Sequence, residues 1–172
     1  ASQQEIIRRY YASAVNVRKG LAGQEELYKQ ELLLKQAGVT PMDRPAAVEA
    51  QKRAEETGLP AAAIEMEDGT IVTGKTGIPH EEKLVSAESI APIQQLKTVY
   101  LGGHNPRLHT DELLIALSIS AATNPHAKLA MEQLPRLRGN EVHSSVILSD
   151  VDETFFRRLG MHLTCTPVYE KQ

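Results

Sequence analysis

The sequence predicts an α/β protein: a small helical segment over residues 1–58, then an α/β sandwich domain over residues 59–172. Three observations carry that prediction. Apolar residues recur at helical spacing through the first third of the chain. After Gly58 the period shortens to that of strands. The remainder then alternates short β-branched runs with helical ones, which is how a sheet layered with helices is written in sequence.

In chain order, Ile6, Ile7, Tyr10, Tyr11, Ala14 and Val17 share one helical face, and Gly20 stops it. Glu25 to Ala37 repeats the pattern with Leu27, Leu32, Leu33 and Leu34, and closes at Gly38. Thr40-Pro41-Met42-Asp43 reads as a loop of capping residues. A third helix, Ala46 to Thr57, ends at Gly58-Leu59-Pro60; its face is mostly alanine, so it is expected to pack onto another element. Ala61 to Met66 is a short strand, Asp68-Gly69 a hairpin turn, and Thr70 to Thr73 the return strand. Lys83 to Ser86 reads as another strand, and Ser86 to Lys97 as helix broken at Pro92. Gly102 to Pro106 is a loop. A strong helix starts at the Thr110 cap with Asp111 and Glu112 in its first turn, and another starts at Asn124-Pro125. The end reads strand (Val142 to Leu148), helix (to Leu159, stopped by Gly160) and strand (Met161 to Cys165).

Composition excludes several classes of function. Of 172 residues, 41% are hydrophobic and 24% charged, which is globular rather than disordered. A net charge of −3 and the lack of a long basic run give no footprint for nucleic acid. Cys165 is the single cysteine, so no intrachain disulfide can form. No apolar stretch approaches the ~20 residues of a membrane span, and the opening residues read as amphipathic helix rather than a leader. A cytoplasmic protein with no membrane partner is expected.

One motif carries a mechanism. Gly69-Thr70-Ile71-Val72-Thr73-Gly74-Lys75-Thr76 fits the phosphate-loop pattern at every fixed position. There, backbone N–H groups would wrap a phosphate, with Gly74, Lys75 and Thr76 as cofactor-binding residues. The competing reading is a hairpin. Thr-Ile-Val-Thr prefers an extended strand, Gly69 completes an Asp-Gly turn, and Gly77-Ile78-Pro79 stands where a helix should begin. Val146 to Asp150 loosely imitates the acidic strand of such proteins. The residues favour the hairpin.

His143 beside Ser144 and Ser145 supplies a candidate catalytic base and nucleophile, Ser144 first, with Asp111 or Asp150 to orient the ring. The plainer alternative is a strand-end histidine bonded to a loop carbonyl. No metal is expected: His104 and His109 are five apart, and no zinc motif is present. Cys165 lies in an apolar strand, as an inert core thiol does.

Leu113 to Ile119, Ala121 to Pro125, Val142 to Ser149, Arg158-Leu159-Gly160 and Cys165 to Tyr169 closely resemble the C-terminal part of a bacterial family called domain of unknown function 1846. Ile6 to Tyr10, Arg18 to Leu21 and Asp68 to Thr76 resemble its preceding section. The resemblance implies a C-terminal piece of a larger bacterial protein. It also implies a three-layer α/β/α sandwich with mixed sheet, of cytidine-deaminase-like architecture, preceded by a small helical subdomain. Some members carry the name ATP-dependent zinc protease, which a pattern such as Gly69 to Thr76 would prompt; no residue set here supports proteolysis. Relative to the family, roughly twenty residues are absent after Thr76-Gly77, where a deaminase-like fold would begin the helix bearing its catalytic His or Cys and Glu. Only the fold carries over, not the chemistry.

The expectation is therefore a structural or self-association C-terminal region of unknown function. Its partners would be the N-terminal region of its own parent protein or a second copy. The alternative is part of an enzyme that binds a nucleotide or other phosphorylated ligand through Lys75 and Thr76, with His143 as acid/base. No cofactor is assigned.

Overall fold

The computed structural model describes residues 2–75 and 134–170, with isolated positions 122, 125, 128 and 132 between them. The chain forms two compact units: residues 1–76, 139–149 and 160–172 make the first, and residues 77–138 and 150–159 the second. Expectations for Lys83 to Lys97, His104, His109 and the Thr110 helix fall outside the described residues, as does Thr76.

The first unit opens with three helices. Helix α1 (Gln3–Arg18) is capped by the Ser2 hydroxyl, which accepts from the Glu5 N–H. Helix α2 (Gln24–Ala37) stops where Gly38 takes the left-handed conformation, φ 70°. The Gly38 N–H then bonds to Lys35 and the Val39 N–H to Leu34, so two terminal carbonyls are satisfied and Val39 folds back onto Leu34. Thr40 and Asp43 form a reciprocal capping box around the 3₁₀ turn Pro41–Asp43. Helix α3 (Pro45–Thr57) follows with Pro at its first position, where the missing N–H is harmless.

Strands β1 (Ala61–Glu65) and β2 (Ile71–Lys75) form an antiparallel hairpin in which Ile64 pairs with Val72 and Ala62 with Gly74. The turn is a three-residue loop. Gly69 donates to the Met66 carbonyl, Met66 donates to Thr70, and Gly69 sits at φ 85°. The Asp68 side chain accepts from the Thr70 N–H and braces the turn. Strand β3 (Glu141–Ser144) runs antiparallel to β1 and parallel to β4 (His162–Cys165), in the order β2-β1-β3-β4. The described sheet is thus mixed, and the α/β class stands.

β3 is shorter than the expected Val142 to Leu148. Ser144 ends it by turning its hydroxyl onto the backbone of Val146, and Ser145 bonds to Ala61 through both its N–H and its hydroxyl. In the second unit, α4 (Asp150–Arg158) places Asp150, Asp152 and Glu153 in its first turn and Arg157 and Arg158 in its last.

Helices α1 and α3 share one face of the sheet with the row Thr73, Ala63, His143 and Thr164. Ala46 and Ala50 of α3 pack on Ala63, with Ile71 beside them. The alanine face packs onto another element as expected, and suits a helix lying close on small strand residues. Ile7 and Tyr11 of α1 join Leu34, Val39 and Ala47 in the second cluster.

Candidate functional site

Sheet register brings the candidate histidine next to residues that no motif or spacing associates with it. His143 lies mid-sheet between Ala63 and Thr164, and its side chain is 1% exposed. Its Nδ1 is 2.6 Å from the Thr164 hydroxyl and its Nε2 is 2.9 Å from the Thr166 hydroxyl. The Tyr11 ring meets it edge-on, with centroids 4.8 Å apart.

Arg44 completes the network. It leaves the capping box just before α3 and is fully buried. Its Nε donates to Thr164 at 2.8 Å, Nη1 to the Glu141 carboxylate at 2.6 Å, and Nη2 to the carbonyls of Val142 and His162. Arg8 from α1 binds the other oxygen of Glu141. One buried guanidinium thus ties α3 to both β3 and β4, and Glu141 ties α1 to the same point. A charge this deep is tolerated only because each direction of the guanidinium finds an acceptor.

Both ring nitrogens are satisfied whichever of them carries the single proton, because each threonine hydroxyl can donate to a bare ring nitrogen or accept from a protonated one. A second proton would have to enter a buried site facing Arg44. Burial first, and the Arg44 charge second, push the His143 pKa down to about 3. The ring is neutral at ordinary pH.

Ser144 is the next residue in the strand, so its side chain leaves the opposite face of the sheet from His143. It is buried, and its hydroxyl donates to the Val146 carbonyl at 2.7 Å. The structure therefore does not bring His143 and Ser144 together as base and nucleophile; it brings His143 to Thr164, Thr166, Tyr11 and Arg44. Cys165 is buried at the end of β4. Among the described residues, no group of three or more His, Cys, Asp and Glu side chains could hold a metal ion. No described helix is long and apolar enough to cross a membrane.

Gly69 to Lys75 forms the turn and strand of the hairpin. Given the Met66–Thr70 bond, ladder alternation makes Ile64–Val72 and Ala62–Gly74 the mutually bonded pairs. The N–H groups of Val72 and Gly74 face β1, while those of Ile71, Thr73 and Lys75 face away. A phosphate loop needs successive N–H groups to converge on one point, and a strand sends them alternately to two sides.

These features define an α/β protein whose polar centre is an internal clamp between two helices and a mixed sheet. The family follows from comparison of the sequence. The chain belongs to the family described as domain of unknown function DUF1846, C-terminal, whose model matches residues 42–77 and 76–172. It is 44% identical over 189 positions to the UPF0371 protein of Streptococcus pneumoniae serotype 19F (strain G54), covering 99% of this chain and 38% of that protein. The UPF0371 protein of Streptococcus sanguinis (strain SK36) is similar to the same extent, 44% over 189 residues. The chain thus spans about 38% of the length of these curated relatives. None of these names states an activity, and the function of the family is unknown. An alignment of 189 positions against a chain of 172 residues leaves at least 17 positions without a counterpart here. The family match is itself interrupted at residues 76–77.

Proposed function

We propose that this chain is a structural C-terminal module of a longer bacterial protein, built to hold an α/β domain together and present a packing surface rather than to carry a reaction centre. The observation that carries the reading is the state of His143: it is 1% exposed, and both ring nitrogens are engaged by threonine hydroxyls. A general base must reach a substrate proton, and this ring is committed inward. The finer architecture belongs to the same proposal: a three-layer α/β/α sandwich resembling the cytidine-deaminase arrangement, with support from the mixed sheet and from α1 and α3 on one face.

The competing assignment puts a phosphorylated ligand on Gly74, Lys75 and Thr76 with His143 as acid/base. Its support is the sequence pattern at 69–76; the alternating N–H directions of β2 weigh against it.

The test uses the full-length protein and a fluorophosphonate probe, which captures activated serine nucleophiles. No adduct at Ser144 is expected. Stoichiometric labelling of Ser144, lost in His143→Gln, would overturn the structural reading and restore the catalytic pair.

A further inference from the structure

Helix α2 is attached by one stripe only. Leu34 is its single buried residue, Leu27, Gln30 and Ala37 are half-buried, and all four lie on the side turned to α1. About half a helical turn away, Tyr28 and Leu32 stand one turn apart as neighbours on the opposite side. They are 61% and 55% exposed. Glu25, Lys29, Glu31 and Lys35 are exposed around them. An apolar centre within a polar rim is the composition of a docking surface.

The matched positions indicate what covers it. The C-terminal family model begins at residue 42, so α1 and α2 (Gln3–Ala37) lie ahead of the domain it describes. In the relatives, more than half of the polypeptide lies outside the region this chain matches, and the matched domain is the C-terminal one. Helix α1 is fastened to the sheet by the Tyr11–His143 contact and the Arg8–Glu141 pair. Helix α2 packs on α1, and so adds a layer on the segment of chain that leads to the preceding region.

We infer that Tyr28 and Leu32 of α2 form the seat on which the preceding, N-terminal region of the full-length protein docks. The inference rests on the reading of this chain as a structural module and names the partner of that module. Docking in cis carries little translational entropy loss, because the partner is tethered to the helix it covers.

The experiment replaces Tyr28 in the full-length protein with the photoreactive p-benzoylphenylalanine, irradiates it, and reads the products on a denaturing gel and by peptide mass spectrometry. The expected product keeps the mass of one polypeptide and contains a crosslink from position 28 to a peptide preceding this chain. A doubled mass would overturn the proposal in favour of a second copy. Crosslinks confined to this chain, or none at all, would overturn it in favour of a bare helix. As a second variant, Leu32→Glu in the full-length protein is expected to make the preceding region several-fold more sensitive to protease while the amide exchange of β1 and β3 stays unchanged. An unaltered digestion pattern counts against docking. Failure of the structural-module reading is seen separately, as Ser144 labelling, which does not depend on position 28.

Discussion

Lowering the pH from 7 to 5 should weaken the first unit by an amount that one residue sets. His143 binds a proton near pH 6.5 when the chain is unfolded but only at about 3 when folded. Between those values the unfolded state holds a proton that the folded state refuses, so acid draws the equilibrium toward unfolding. The contribution is fully present above pH 6.5, declines as pH falls, and levels off near pH 3. Each pH unit in that window is worth about 1.4 kcal/mol, so the step from pH 7 to pH 5 removes about 2 kcal/mol. Against a total stability on the order of 5–15 kcal/mol, that is readily measured. The assay is urea denaturation at pH 7, 6 and 5, followed by tyrosine emission. The chain has no tryptophan, and four of its five tyrosines, Tyr10, Tyr11, Tyr28 and Tyr169, belong to the first unit, so Tyr100→Phe is the background for the assay. His143→Gln, which cannot titrate, should be less stable at pH 7 but lose this component of the slope. Equal slopes in the two proteins, or a ring nitrogen titrating near pH 6.5 by NMR, would refute the buried neutral ring.

Removing one side of the central ion pair should cost more than any exposed substitution. Arg44→Met leaves Glu141 with Arg8 as its remaining cation and takes a buried donor from the carbonyls of Val142 and His162, with an expected loss of about 3–5 kcal/mol in chemical denaturation. Ile7→Ala, at a fully buried position, should cost about 2–5 kcal/mol by the same measurement. The two glycines of the 69–76 motif should behave oppositely. Gly69→Ala strains a turn at φ 85° and loses about 1–2 kcal/mol, while Gly74→Ala meets open space in an extended strand and is neutral or up to about 1 kcal/mol stabilising. Calorimetric titration of ATP with Mg²⁺ into the full-length protein should show no saturable binding that Lys75→Ala abolishes; such binding would revive the phosphate-loop assignment.

Local chemistry was legible in the sequence because its causes are local. Gly38, the capping residues Thr40 and Asp43, and the Asp68-Gly69 turn each act on neighbours within a few residues, and each stands where expected. The end of β3 was misjudged because Val146-Ile147-Leu148 looks like strand by composition, whereas the serine hydroxyls at 144 and 145 divert the backbone. The clamp was not legible. Arg44 meets its partners 97 to 120 residues later, and neither periodicity nor charge pattern marks an arginine for burial at that range. His143 was found as a residue but not as an environment, since its four neighbours arrive from α1, β4, the residue after β4 and the start of α3.

The distance between Arg44 and its acceptors also orders events during synthesis. Helices α1 to α3 leave the ribosome well before β3 and β4, whose carbonyls and carboxylate receive the guanidinium. Until His162 and Thr164 have emerged, the arginine must stay hydrated, and so α3 cannot settle on the sheet. A chain cut short before β4 would face the unmet cost of a buried cation with half its acceptors missing. The clamp therefore works as a completion check, because closure of the first unit waits for β4, the last of its described strands.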